Sequence, residues 1–168
     1  MPSCFHKITK DGFPVYYQFM SQFNADEFLK LGTVEEMVKY ALNIAEKLER
    51  EYFKICSKIK GKYIHGTVSV IDFSGINSSI LNTKLLSYLK KISKVQNYYP
   101  EMLEGSYVVN ANLLFRSFYS LCKVFIDAKI KSKIKLFGAD YKSNLLERID
   151  SENGKNRVKL KKIFLKIF

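Results

Sequence analysis

The chain has 168 residues, the size of one domain. Its composition, 47% hydrophobic and 14% aromatic, suits a packed core and excludes a disordered chain. The net charge of +12 points to an anionic partner, and half of it sits in residues 154–168, which hold five Lys, one Arg and no acid.

In chain order, Asp11-Gly12-Phe13-Pro14 reads as a turn, and Val15–Met20 as an aromatic, β-rich strand. A short helix is expected over Asn24–Leu31, ended by Gly32. Thr33 then opens a long helix. Thr33 and Glu36 have the spacing of a capping box, in which hydroxyl and carboxylate each satisfy a free backbone N–H. Val34, Met37, Val38, Ala41, Ile44, Ala45, Leu48, Tyr52 and Ile55 keep helical spacing to about Cys56, and Gly61 ends the region. Thr67–Asp72 alternates as a strand, with Val68 and Val70 on one face and Thr67, Ser69 and Ile71 on the other. Asp72-Phe73-Ser74-Gly75 is a turn. Residues 79–95 form a helix on the spacing of Leu81, Leu85, Tyr88, Leu89, Ile92 and Val95. Ser106–Asn110 is a strand and Asn112 to about Cys122 an apolar helix. A lysine-rich segment leads to strand Ile134–Phe137 and a last helix, Asp140–Arg148. Strands alternating with helices predict an α/β fold with a mixed, mostly parallel sheet.

The three cysteines, Cys4, Cys56 and Cys122, are widely spaced and odd in number, so neither a metal site nor a disulfide framework is expected. The first residues lack the apolar run of a signal peptide, and no stretch approaches the ~18 apolar residues of a membrane span. His6 and His65, the two histidines, have no acid or cysteine at a useful spacing. With no Gly-rich phosphate loop and no G-x-S-x-G, nothing in the chain reads as an enzyme or calls for a cofactor.

Several short motifs occur in a distinctive order: His6-Lys7, Lys10-Asp11-Gly12, Pro14-Val15-Tyr16, Ile71-Asp72 with Gly75, Asn97-Tyr98-Tyr99-Pro100-Glu101, Phe125-Ile126-Asp127, Ser132-Lys133-Ile134 and Gly138. Together they resemble the CRAL-TRIO lipid-binding family, in particular its phosphatidylinositol/phosphatidylcholine transfer type. The resemblance runs from about Cys4 to Asn153. It implies a domain over residues 1–153, lacking the family's N-terminal helical region and C-terminal closing segment, and a divergent basic tail over 154–168. It also implies a sheet that floors a deep apolar pocket, with helices over it and one mobile helix as a gate. The gate is Asn112 to about Lys131, with Leu113, Leu114, Phe115, Phe118, Tyr119, Leu121 and Phe125 on gate and pocket. By composition alone those residues fill a core. The implied function is to hold one phospholipid and transfer or present it at a membrane.

The resemblance also assigns headgroup residues. Lys133 matches a family lysine that contacts an inositol phosphate, whereas the family's nearby threonine is Ile130 here. Glu101 matches a glutamate whose basic partner belongs to the family's N-terminal region, so in this chain it needs another. Thr67 and Ser69 match the hydroxyl pair of a choline-type site. They lie two apart on a strand and so point to one face. Tyr16 matches one of the two tyrosines of that site, and Phe5 stands at the other, keeping the ring without the hydroxyl. These departures rank a phosphatidylcholine-like lipid above phosphatidylinositol. The tail alternates Lys155, Arg157, Lys159, Lys161, Lys162 and Lys166 with apolar residues, as a basic amphipathic helix would, or else is an unrelated passenger. Competing readings are a carrier of another hydrophobic ligand, tocopherol- or retinoid-like, on the same fold, or a basic nucleic-acid-binding module, against which the chain shows no nucleic-acid motif. The expected setting is cytoplasmic and peripheral on intracellular membranes such as the Golgi. Loss of the flanking segments predicts self-association through uncovered apolar surface.

Overall fold

The computed structural model describes residues 3–93 and 101–149. The motif residues 97–100, Val95 and the basic tail lie outside the described residues. Five strands form one sheet in the order β1 (Ser3–Ile8), β2 (Pro14–Phe19), β3 (Thr67–Asp72), β4 (Leu103–Val109) and β5 (Ile134–Leu136). The β1–β2 pair is antiparallel and the other three pairs are parallel. This is the mixed, mostly parallel sheet that the alternation of elements predicts.

β1 escaped the pattern reading. Its register with β2 slips between Phe5 and Ile8, and Lys7 sits at φ 59, the irregularity of a bulged edge strand. The turn to β2 needs Gly12, at φ +102, where a Cβ would run into the Lys60 side chain. β4 begins three residues before the expected Ser106.

The helices follow their caps. Asn24 caps α1 (Ala25–Leu29) by accepting from the backbone of Asp26 and Glu27. Thr33 and Glu36 form the expected capping box at the start of α2 (Val34–Lys47), with the Glu36 carboxylate 2.7 Å from the Thr33 nitrogen. The single long helix expected to about Cys56 is divided: a π-helical turn, Leu48–Tyr52, separates α2 from α3 (Phe53–Lys60), which stops at Gly61 with φ 63. The helix expected over 79–95 is also divided. Asn82 caps α4 (Thr83–Ile92) through the nitrogens of Lys84 and Leu85, leaving Ser78–Leu81 as a 3-10 turn.

The gate segment needs a similar correction. It is two helices, α5 (Leu113–Cys122) and α6 (Ala128–Lys133). Asp127 accepts from the Lys129 nitrogen at 2.7 Å and so starts a new helix, leaving 123–127 as a connection. α7 (Lys142–Arg148) closes the described chain.

The two faces of the sheet are covered differently. On one face Val15, Tyr17, Val68, Val70, Tyr107 and Val109 are buried with Leu145 and Ile149, in and just after α7. Arg148 clasps this layer shut, with Glu104 at 2.5 Å and Asp11 at 3.5 Å, while its carbonyl accepts from the Lys10 nitrogen. On the other face a second cluster joins Ile71, Val108, Ile134 and Leu136 to side chains of α1, α2, α4 and α5. There Phe115 meets Phe73 at 3.9 Å between ring centroids.

Candidate functional site

Paired residues of neighbouring strands share a face, so the sheet register can be read as rows. One row runs Phe5, Tyr16, Ser69, Ser106 and Ile134 across all five strands. Thr67 stands two positions before Ser69 and therefore on the same face. Thus four of the six expected headgroup residues, Phe5, Tyr16, Thr67 and Ser69, lie together on the face beneath α2, α4 and α5.

This face is incompletely covered. Tyr16, Gln18, Thr67, Ser69, Ile71, Ile134 and Leu136 are half-buried there, although Ser106 and Val108 are buried; on the opposite face, which α7 covers among the described helices, Val15, Tyr17, Val68, Val70, Tyr107 and Val109 are all buried. α2 fits the same pattern. Val34, Met37, Val38, Ala41, Ile44 and Ala45 form an apolar stripe, yet no residue of this 14-residue helix is fully buried. An amphipathic helix whose stripe stays half-open lies over a floor that is itself half-open.

The hydroxyls on this floor have partners within the protein. Thr67 Oγ1 donates to the Met102 carbonyl at 3.0 Å, and Ser69 Oγ donates to Ser106 Oγ at 2.9 Å. Ser106 is 6% exposed, and sequence reasoning missed it. The available signal was a lone hydroxyl in an apolar strand. At the β1 edge, the Phe5 ring lies between Tyr16, at 4.7 Å, and Tyr52, at 5.0 Å, and Tyr52 is delivered by the π-turn. Burial is the main cause of the raised Tyr16 pKa, opposed by the Ser3 and Gln18 side chains.

The remaining two predicted residues lie where the parallel strands begin. Lys133, last in α6, donates to the Leu103 carbonyl at 2.5 Å. Glu101 has φ 73 and is exposed; the Lys129 ammonium supplies the partner it was expected to need. The hydrogen bond and charge of Lys129 hold its carboxyl below the usual range, helped by Lys133 and His65. Thr67 connects this group to the row, because its hydroxyl and its nitrogen both donate to Met102, between Glu101 and Leu103. Lys129, like Ser106 and Tyr52, was not singled out in the sequence.

The gate residues divide into two sets. Phe115 and Phe118 are buried, with Leu114, Tyr119 and Phe125 packed beside them. Leu113, 79% exposed, and Leu121, 52% exposed, face outward. Among the described residues, no helix is long and apolar enough to cross a membrane.

Known proteins share both the sequence pattern and the fold. The pattern that defines the CRAL/TRIO domain matches residues 2–157. A phosphatidylinositol/phosphatidylcholine transfer protein of Arabidopsis thaliana, SFH11, is 34% identical over 153 residues, 90% of this chain and 41% of that protein. The SEC14 cytosolic factor of Candida glabrata is 35% identical over 153 residues, 90% of this chain and 50% of its own length. The chain thus spans half or less of these relatives. The crystal structure of Sfh5 superimposes with a TM-score of 0.63 at 21% identity, covering 86% of this chain and 48% of that one, which is a likeness of fold. Residue order, sheet topology and these matches agree: the chain belongs to the CRAL/TRIO domain family.

Proposed function

We propose that this chain binds one phospholipid, with its acyl chains between the half-covered sheet face and α2, α4 and α5, and transfers or presents that lipid at a membrane. The observation that carries this reading is the contrast between the two sheet faces. Among the described residues, α7 covers one, while α2, α4 and α5 leave much of the other, with the α2 stripe above it, half-open. A space of that kind suits an apolar ligand. A diacyl lipid hides about thirty methylenes at ~0.8 kcal/mol each, so roughly 25 kcal/mol opposes its release into water. Hydrogen bonds cannot offset a term of that size. An apolar cavity can, leaving polar residues to select the headgroup.

The headgroup lies against the row of Phe5, Tyr16, Thr67 and Ser69, extended by Ser106. Rings at Phe5, Tyr16 and Tyr52 suit a quaternary ammonium, and serine and threonine hydroxyls suit a phosphate. The three rings favour a phosphatidylcholine-like lipid over phosphatidylinositol; its phosphate would draw the Thr67 and Ser69 hydroxyls from Met102 and Ser106, as an inositol phosphate would have to draw Lys133 from Leu103. The names of two relatives, a phosphatidylinositol/phosphatidylcholine transfer protein and a cytosolic factor, support phospholipid exchange, here proposed to occur at intracellular membranes such as the Golgi. The protein acts by binding and not by catalysis.

The test is native mass spectrometry and lipid extraction of the purified protein, with transfer of labelled phosphatidylcholine between vesicles. One bound phospholipid per chain and accelerated transfer are expected. Preparations that repeatedly carry no lipid and transfer none would overturn the proposal. Extraction of a tocopherol- or retinoid-like molecule instead would move it to a different ligand class.

A further inference from the structure

α3 carries a second apolar stripe, directed away from the core. Phe53 and Cys56 are its buried residues. One turn apart on the opposite side, Ile55 is 58% exposed and Ile59 is 63% exposed, and Tyr63, just past Gly61, is 83% exposed. Two large apolar side chains one turn apart on a helix, with an exposed Tyr four residues further along the chain, differ from the scattered exposed residues of an ordinary surface.

Charge identifies the occupant. From Tyr52 to Ile71 the chain has Lys54, Lys58, Lys60 and Lys62 and no Asp or Glu. Lys60 is tied to the Lys10 carbonyl at 2.9 Å. Lys54, Lys58 and Lys62 are exposed around the isoleucines. Along the chain the nearest acid is Glu51, in the π-turn, and Glu49 lies 3.9 Å from His65. Long lysines beside Ile and an outward Tyr match an anionic lipid surface: methylene stems and rings enter the interface while ammonium groups stay at phosphate level.

Position supports the same occupant. α3 leads through residues 61–66 into the first residue of β3, and α6 leads directly into the first residue of β5. Both therefore lie at the end of the sheet where the parallel strands begin. Glu101 joins them, being paired to Lys129 of α6 and within electrostatic reach of His65, which stacks on Tyr63 at 6.0 Å. We infer that Ile55, Ile59 and Tyr63, with Lys54, Lys58 and Lys62, form a docking surface for an anionic membrane, distinct from the lipid-holding face. It deepens the proposed function by assigning the end of the molecule that meets the bilayer.

The chain has no Trp, so Tyr63→Trp in the full chain makes a single reporter. Vesicles of phosphatidylcholine doped with phosphatidylserine are expected to shift its emission to the blue, and brominated lipids to quench it. Pure phosphatidylcholine should do neither. In co-sedimentation, Ile55→Ser/Ile59→Ser and Lys54→Ala/Lys58→Ala/Lys62→Ala should each lower partition onto the doped vesicles about tenfold or more. Circular dichroism should be unchanged, because every substituted side chain is exposed. Emission from the Tyr63→Trp variant that stays unshifted with doped vesicles would overturn the inference, whatever the basic tail contributes to sedimentation. So would a vesicle-free dimer that depends on Ile55 and Ile59 and excludes vesicles. Lipid extraction of the same preparations separates the two claims: protein without bound lipid but with a shifted reporter would remove the proposed function and leave the docking surface standing.

Discussion

The Ser69–Ser106 pair gives the sharpest test of the floor. Ser69→Ala removes a donor and leaves Ser106 Oγ, in a residue 6% exposed, without the partner it has at 2.9 Å. The made hydrogen bond contributes about 1 kcal/mol, and a buried hydroxyl left unpaired costs about 1–3 kcal/mol. Ser69→Ala should therefore destabilise by about 1–2 kcal/mol, and Ser106→Ala by about 1 kcal/mol, because the half-buried Ser69 hydroxyl it leaves can reach water. The double variant has no stranded hydroxyl, so its cost should fall short of the sum by about 1 kcal/mol. Urea denaturation of the four proteins measures this. The same variants test the headgroup assignment, since a hydrogen bond to a charged phosphate contributes about 1.5–3 kcal/mol, or roughly tenfold to a hundredfold in affinity. Ser69→Ala should reduce phosphatidylcholine transfer by at least about tenfold, and the double variant should not recover it. Stability losses that add to within ~0.3 kcal/mol would refute the pairing. Unaltered transfer would refute the headgroup role.

The two sides of α5 should separate stability from function. Phe115→Ala deletes a buried ring that meets Phe73 at 3.9 Å and should cost about 3–5 kcal/mol in denaturant, with faster hydrogen exchange along the helix. Leu113→Ser, at a site 79% exposed, should stay within about 0.5 kcal/mol of wild type yet lower transfer if the gate meets lipid; equal effects of both variants on stability would contradict the packing. Glu101 has a depressed folded-state pKa, so its stabilising contribution is present above its unfolded value and lost as pH falls through the folded one. Lys129→Ala should move that loss to higher pH, which carboxylate NMR would detect; an unmoved titration would refute the ion pair. Lys133→Ala should lower phosphatidylinositol transfer selectively, and an equal loss for both lipids would mark the bond to Leu103 as structural.

What the sequence made legible was local. The capping box of Thr33 and Glu36 and the alternation of Thr67–Asp72 each depend on neighbours a few residues away, and each stands as read. β1 was missed because an edge strand with one sheet neighbour and a bulge carries little alternation. The apolar spacing through Leu48, Tyr52 and Ile55 looked like continuous α-helix, because it does not register one extra residue in a turn. In the site, family likeness brought out Phe5, Tyr16, Thr67 and Ser69, whose rows are fixed by strand parity. Ser106, Tyr52 and Lys129 became visible only in three dimensions. Their roles come from residues 37, 47 and 28 positions away, at Ser69, Phe5 and Glu101, pairings that no local pattern encodes.

The π-turn at Leu48–Tyr52 acts as a phase shifter. One additional residue in a helix displaces everything downstream by about 100° around the axis. Upstream, the apolar side of α2 leans toward the sheet. Downstream, the offset sets Phe53 and Cys56 inward, leaves Ile55 and Ile59 on the outer surface, and brings Tyr52 onto Phe5. Excising one residue, such as Arg50, would restore an unbroken α-helical ladder and still disarm the protein, because it would swing Ile55 and Ile59 a quarter-turn or more and break the ring stack. A single-codon insertion or deletion here can therefore exchange side chains between the interior and the outer surface while the fold persists.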